Sequence, residues 1–193
     1  MSRNQILLVI LIILLVLSTY TAHASERRFE SDDPAKKPFS VPLSKIQKRI
    51  NNDPSADGIV LSASTINRVL CIDIKEIPGE TSAAAVLRVV MMIGRLAEDT
   101  YTEMCFADEG VDVFIIDGEK IREIGVQFVW GEEGEGQNPI HLIRLFADAL
   151  RTPDGQRVSP PMTGSLLGDT QKALETINKR FHPEWTMRTL KVH

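Results

Sequence analysis

The stretch RVLCIDIKEI, residues 68–77, places Leu70, Ile72 and Ile74 on one side of an extended chain and Val69, Cys71, Asp73 and Lys75 on the other. Successive side chains of a strand point to opposite faces, so this alternation predicts a strand with one core face and one mixed face. Pro78-Gly79 ends it, and Thr81 or Ser82 can cap the helix that follows. That helix, predicted over 83–99, is apolar on most of its circumference (Val86, Leu87, Val89, Val90, Met91, Met92, Ile93, Leu96), with a polar stripe of Arg88, Arg95 and Asp99. A helix so apolar lies deep against a sheet or at a subunit contact, and this one is too short to span a membrane. Met91-Met92 reads as core filling, because unbranched methionine fits irregular gaps.

Working outward, residues 101–107 and 111–116 predict two strands joined by the turn Asp108-Glu109-Gly110. Residues 118–130 fit a helix through Ile121, Ile124, Gly125 and Phe128, and a strand through Ile124, Val126, Phe128 and Trp130; Asp117 as an N-cap favours the helix. Upstream, Leu43, Ile46 and Ile50 predict a helix over 43–51, and 59–61 predicts a short edge strand. Downstream, Asn138 and Pro139 suit the cap and first position of a helix over 140–150, and 152–155 is a turn. A last helix sets Leu167, Thr170, Leu174, Ile177 and Phe181 on one face and ends at Pro183. The expected fold is therefore α/β: one domain over 43–193, with a small mixed sheet of three to four strands packed by helices.

The N-terminal residues have a different character. Arg3, the apolar run Ile6 to Leu17 and Ala22-His23-Ala24 come in the order of a cleavable signal peptide over 1–24. Residues 25–42, with paired charges and three prolines, predict a disordered spacer. Export is expected, with the bacterial periplasm as the location, since no Asn-x-Ser/Thr acceptor occurs. The competing reading is an uncleaved segment 1–24 that anchors the chain in the inner membrane; the apolar run is short for it.

The formal net charge is −4, and from Glu98 to Gly136 twelve acids face only Lys120 and Arg122. Nucleic acid needs a basic footprint, so that partner class is excluded. The acidic region is either a face for a basic partner or cation, or a solvated surface, and the second reading is preferred. Cys71 and Cys105 permit one disulfide in an oxidising compartment; burial as small hydrophobes explains them equally and is preferred. With no Cys-x-x-Cys, a thioredoxin-type role has no support.

The loop GEEGEG, residues 131–136, lacks both phosphate-binding glycine patterns, and its glutamates would repel phosphate. It also lacks the spacing of a calcium loop. No metal site and no cofactor are expected. His141, beside this loop, could pair with Glu133 or Glu135 as a general base, but an ordinary helix-surface histidine is the preferred reading. Ser165 in TGSLLG, residues 163–168, is misplaced by one residue for a nucleophile elbow.

The segments GQNPI (136–140), TPDG (152–155) and the glycine-flanked 164–168 resemble small exported bacterial proteins of unknown function, a resemblance that implies no activity. The expected function is a non-catalytic protein-binding or accessory module of an envelope or secretion assembly, with another envelope protein as partner and Glu132, Glu133, Glu135 and His141 as the candidate contact residues. One alternative is a small hydrolase with its site near His141, Cys105 and the acidic loop; the other is a soluble binder of a small molecule or cation.

Overall fold

A computed structural model describes residues 40–186, apart from 80, 82 and 131–138. The predicted signal peptide, most of the spacer, and Glu132, Glu133 and Glu135 lie outside the described residues. The folded unit begins at Ser40, slightly before the expected boundary, because Val41 is buried. Val41 N–H donates to Leu96 O at 2.7 Å, and its carbonyl accepts from Glu98 N at 3.0 Å. The Glu98 carboxylate in turn accepts from Leu43 N at 3.0 Å, satisfying one of the free amides that open the first helix.

That helix, α1 (Leu43–Asn51), leads through a short 3-10 turn (Pro54–Ala56) to β1 (Val60–Ile66) and β2 (Val69–Glu76). Helix α2 (Ala83–Leu96) crosses to β3 (Glu103–Asp108), which returns in β4 (Val111–Asp117). Then come α3 (Gly118–Trp130), α4 (Pro139–Ala149) and α5 (Leu166–Thr176), the last continuing into a π-helical segment, Ile177–Thr186. The four strands stand in chain order. β1–β2 and β3–β4 are antiparallel, while β2–β3 is parallel, so the mixed α/β sheet is two hairpins joined by one crossover helix.

Both hairpins turn on two residues with positive φ, as the right-handed twist of paired strands requires: Asn67 (50°) and Arg68 (68°), then Glu109 (52°) and Gly110 (82°). Arginine is an unusual choice there. It is held by Thr102 N–H donating to its carbonyl at 2.8 Å and by its own Nε–H donating to Thr100 O at 3.0 Å. The first strand is longer than its expected edge fragment because α1 completes its outer side. Asn51 accepts from Leu61 N at 3.1 Å and donates to Leu61 O at 2.9 Å, and Gln47 accepts from Ala63 N at 3.1 Å. Side-chain amides thus occupy an edge that would otherwise present free backbone groups. At the other edge, Arg151 and Ile115 exchange backbone hydrogen bonds, both 2.9 Å.

Leu70, Ile72, Ile74, Met104, Phe106, Phe114 and Ile116 point from the sheet into the core shared with the helices. Phe106 meets Phe146 of α4 and Phe181 and Trp185 of the π-helical segment edge-on, with centroids 4.8–6.1 Å apart. The Trp185 indole N–H donates to Ala107 O at 2.8 Å. This cluster explains a departure at the C-terminus: the helix does not stop at Pro183, which lies inside the π-helical segment. Proline cannot continue an α-helix's ladder, and the wider winding carries Trp185 onto Phe106 beyond it. Of the expected apolar face, Thr170, Ile177 and Phe181 are buried and Leu174 half-buried, but Leu167 is 84% exposed, and Asp169, Ala173 and Thr176 are buried as well. The Thr170 and Thr176 hydroxyls donate to the carbonyls of Leu166 and Lys172, so these polar groups enter the interior satisfied.

Helix α2 ends at Leu96 rather than Asp99. Its Met91 is buried and its Met92 half-buried, so the methionine pair fills the interior. The stripe is also tied down, with Arg88 on Asp57 at 2.5 Å. Among the described residues no helix is long and apolar enough to cross a membrane.

Helices α2 and α3 cross at glycines. A Cβ on Gly125 would lie 2.5 Å from Arg95 N and 2.6 Å from Met91 O, both backbone atoms that cannot swing aside. Gly125→Ala should therefore destabilise the fold by about 1–3 kcal/mol through overpacking, although alanine is the better helix former. Gly79→Ala, whose Cβ meets nothing within 4 Å, should leave the urea midpoint nearly unchanged. Equal midpoints for the two variants would show that the helices can move apart.

Candidate functional site

The sheet face turned away from this core carries Ser62, Ser64 and Ile66 of β1 beside Val69, Cys71 and Asp73 of β2. Next come Glu103, Cys105 and Ala107 of β3, then Asp112, Ile115 and Asp117 of β4. Among the described residues the helices pack against the other side. Ser64, Ile66, Asp112 and Asp117 are exposed, and Val69, Cys71, Asp73, Glu103 and Ile115 are half-buried. Cys105 and Ala107 of the same face are buried, so it is a surface of small polar, apolar and acidic side chains around a closed centre.

A disulfide joins Cys71 to Cys105 at its centre. The two residues stand directly opposite in the parallel register, with Cα atoms 4.5 Å apart, within the span a disulfide bridges. Burial as free thiols was the preferred reading of the sequence. It rested on two apolar neighbourhoods, yet only Cys105 is fully buried; Cys71 is half-exposed on the mixed face. What the sequence could not show was the register that aims both sulfurs the same way.

A β-bulge completes the surroundings. The register passes from Phe106 opposite Phe114 to Ala107 opposite Asp112, leaving Val113 as the extra residue. Without it Asp112 would fall opposite Asp108; with it the side chain comes onto the Cys105 face. Asp112 Oδ1 lies 3.3 Å from Cys105 Sγ. A bonded sulfur carries no hydrogen, so this is a contact and not a hydrogen bond. The acidic character extends along the face: burial first, then the charges of Asp112 and Asp117, pushes the Glu103 carboxyl above its ordinary range. Asp117 also caps α3, accepting from Glu119 N at 2.9 Å and Lys120 N at 3.0 Å. Asp73 is paired with Lys75 at 2.5 Å.

His141 is exposed in the first turn of α4, a helix whose Phe146 packs on the core side of the sheet. Cys105 lies on the opposite side and is bonded to Cys71. The structure therefore does not bring His141 and Cys105 together, and the sheet stands between them. No partner for His141 can be assigned from Glu133 or Glu135, which lie outside the described residues.

A second polar centre is Asp169, which is fully buried. Its carboxylate accepts from Thr163 N at 2.8 and 3.0 Å, Thr163 Oγ1 at 3.0 Å and Gly164 N at 2.7 Å, with Lys172 at 3.5 Å and Arg144 at 3.6 Å. Together with Ser165, which caps α5 by accepting from Gly168 N, it fixes the loop before that helix. These hydrogen bonds, led by that from Thr163 N–H, hold its pKa down to about 2 against the penalty of burial. The donors of Thr163 and Gly164 thus converge on one carboxylate, which is the arrangement of a structural tie. The glycine-flanked segment singled out in the sequence, 164–168, spans the end of this loop and the first turn of α5.

No known family model matches the chain, and no curated protein or solved structure was found to be similar to it.

Two measurements follow from this geometry. The disulfide closes a separation of 34 residues, so the Cys71→Ala/Cys105→Ala variant should lose about 3–4 kcal/mol of stability by chain entropy; a change below about 1 kcal/mol would show that the sheet alone fixes this register. For Asp169, the folded pKa lies below the unfolded value of about 3.9, so its contribution is complete above that value and is lost as pH falls toward about 2. The stability difference between the wild type and Asp169→Asn should accordingly shrink across that interval, and a difference independent of pH would disprove the ionised tie.

Proposed function

We propose that the chain is an exported, non-catalytic module that binds another protein of the bacterial envelope, and that the disulfide-bearing sheet face meets a basic surface of that partner. The observation that carries this reading is the one-sided layering. Helices cover one side of the sheet, and the other holds Glu103, Asp112 and Asp117 beside small side chains and Ile66, which is 65% exposed. Exposed and half-buried carboxylates on a half-apolar face suit a cationic protein surface by charge complementarity, which acts mainly on the association rate. The bonded cysteines support an oxidising compartment, as does the leader-like order of residues 1–24. The hydrolase alternative loses its grouping, since Cys105 is bonded and faces away from the helix of His141.

The test is capture of partners by the oxidised chain from its native envelope, followed by binding kinetics. Glu103→Gln/Asp112→Asn should lower the association rate several-fold, and raised salt should mimic it on the wild type. If Glu132→Gln/Glu133→Gln/Glu135→Gln weakens binding while the face variant does not, the contact belongs to the loop. Binding unchanged in both variants at low and high salt would overturn the reading.

A further inference from the structure

The geometry points to a second state of the sulfur centre: we propose that, once reduced, Cys71, Cys105 and Asp112 form a site for a divalent, thiophilic metal ion such as zinc. This does not rest on the protein-binding reading. The ligand atoms of the three residues all lie within 4.8 Å of one another, presented by three adjacent strands. Two thiolates and a carboxylate are established zinc ligands, at about 2.3 Å and 2.0–2.2 Å, which in a tetrahedron sets sulfur and oxygen about 3.5 Å apart. Asp112 Oδ1 already lies 3.3 Å from Cys105 Sγ. It is brought there by the bulge at Val113 and finds a sulfur with no hydrogen to give it. Cys71 is half-exposed and Asp112 exposed, leaving a way in for the ion and a fourth position for water.

The chemistry balances with a dithiol as reductant. The Cys71–Cys105 bond breaks, two electrons and two protons pass to the cysteine sulfurs, and the dithiol leaves as its own disulfide. The incoming cation then displaces both thiol protons into solvent and binds the two thiolates with the Asp112 carboxylate, so occupancy is coupled to redox state and to pH. Soft thiolates select zinc over magnesium or calcium.

The experiment uses the full purified chain, reduced without oxygen by a water-soluble phosphine, which takes up oxygen from water and leaves both sulfurs protonated. Cobalt(II) is the probe. The reduced wild type should bind one ion per chain with a thiolate-to-cobalt charge-transfer band, release two protons, and lose the band when zinc is added. The oxidised chain should show no band. Cys71→Ser should abolish it, and Asp112→Asn should weaken binding by more than the roughly 10–100-fold that loss of a supporting partner costs. Near-ultraviolet circular dichroism separates outcomes at the level of the fold: a reduced chain that loses its signal and regains it with cobalt supports the site. A folded reduced chain without the band, a reduced chain that metal does not refold, or equal affinity in Asp112→Asn would each overturn it.

Discussion

Parallel strands cannot be joined by a tight turn, so pairing residues 69–73 with 103–107 obliges the chain to leave the sheet at one end of β2 and re-enter it at the end where β2 began. Everything between β2 and β3 follows from that requirement. Helix α2 supplies the crossover and lies over the sheet, which is why it is apolar nearly all round. Its Gly94 and the facing Gly125 let α3 approach backbone to backbone, so a third layer is not needed to bury it. The Cys71–Cys105 bond crosses the same pairing on the opposite surface, so the one long-range register in the sheet is held by packing on one side and by a covalent link on the other.

One-sided layering then determines where chemistry can reside. Residues with odd numbers on β2 and β3 are excluded from the helix-covered core, and it is there that Cys71, Asp73, Glu103 and Cys105 fall. The hairpin turns keep β1 and β4 in register with this pair, extending the same face with Ser62 and Ser64 on one side and Asp117 on the other. On the helical side, the buried Asp169 carboxylate is consumed by hydrogen bonds within the fold. The two polar centres thus differ in kind: Asp169 is a satisfied structural tie, whereas the sulfur face has carboxylates with half-exposed neighbours and a raised Glu103.

The alternation of residues 68–77 made the central strand legible, and the Asp117 cap decided residues 118–130 as a helix, as found. Those signals are local. The π-helical continuation past Pro183 was not legible because its cause is the distant Phe106 cluster, and the burial of Asp169 was not because it finds its partners in a loop. The candidate site depended on still longer-range facts. Nothing in the spacing of Cys71 and Cys105 specifies a parallel register, and nothing in VDVFIID marks Val113 as the bulged residue. The acidic segment read from composition was the one usable sign, and three of its members, Glu103, Asp112 and Asp117, share the sulfur face.

The bulge is the feature that sequence logic alone would remove. With Val113 in regular register, β4 would set valine beside Ala107 and turn Asp112 toward Asp108, so the irregularity exchanges an apolar contact for a carboxylate at a disulfide. Near a bonded sulfur that carboxylate gains no hydrogen bond, and its charge raises the cost of ionising Glu103. Both uses proposed for it act outside the oxidised fold: toward a cation at the sulfurs once the bond is opened, or toward a positive surface laid against the face. The two uses separate experimentally, because the first requires free thiolates and the second does not.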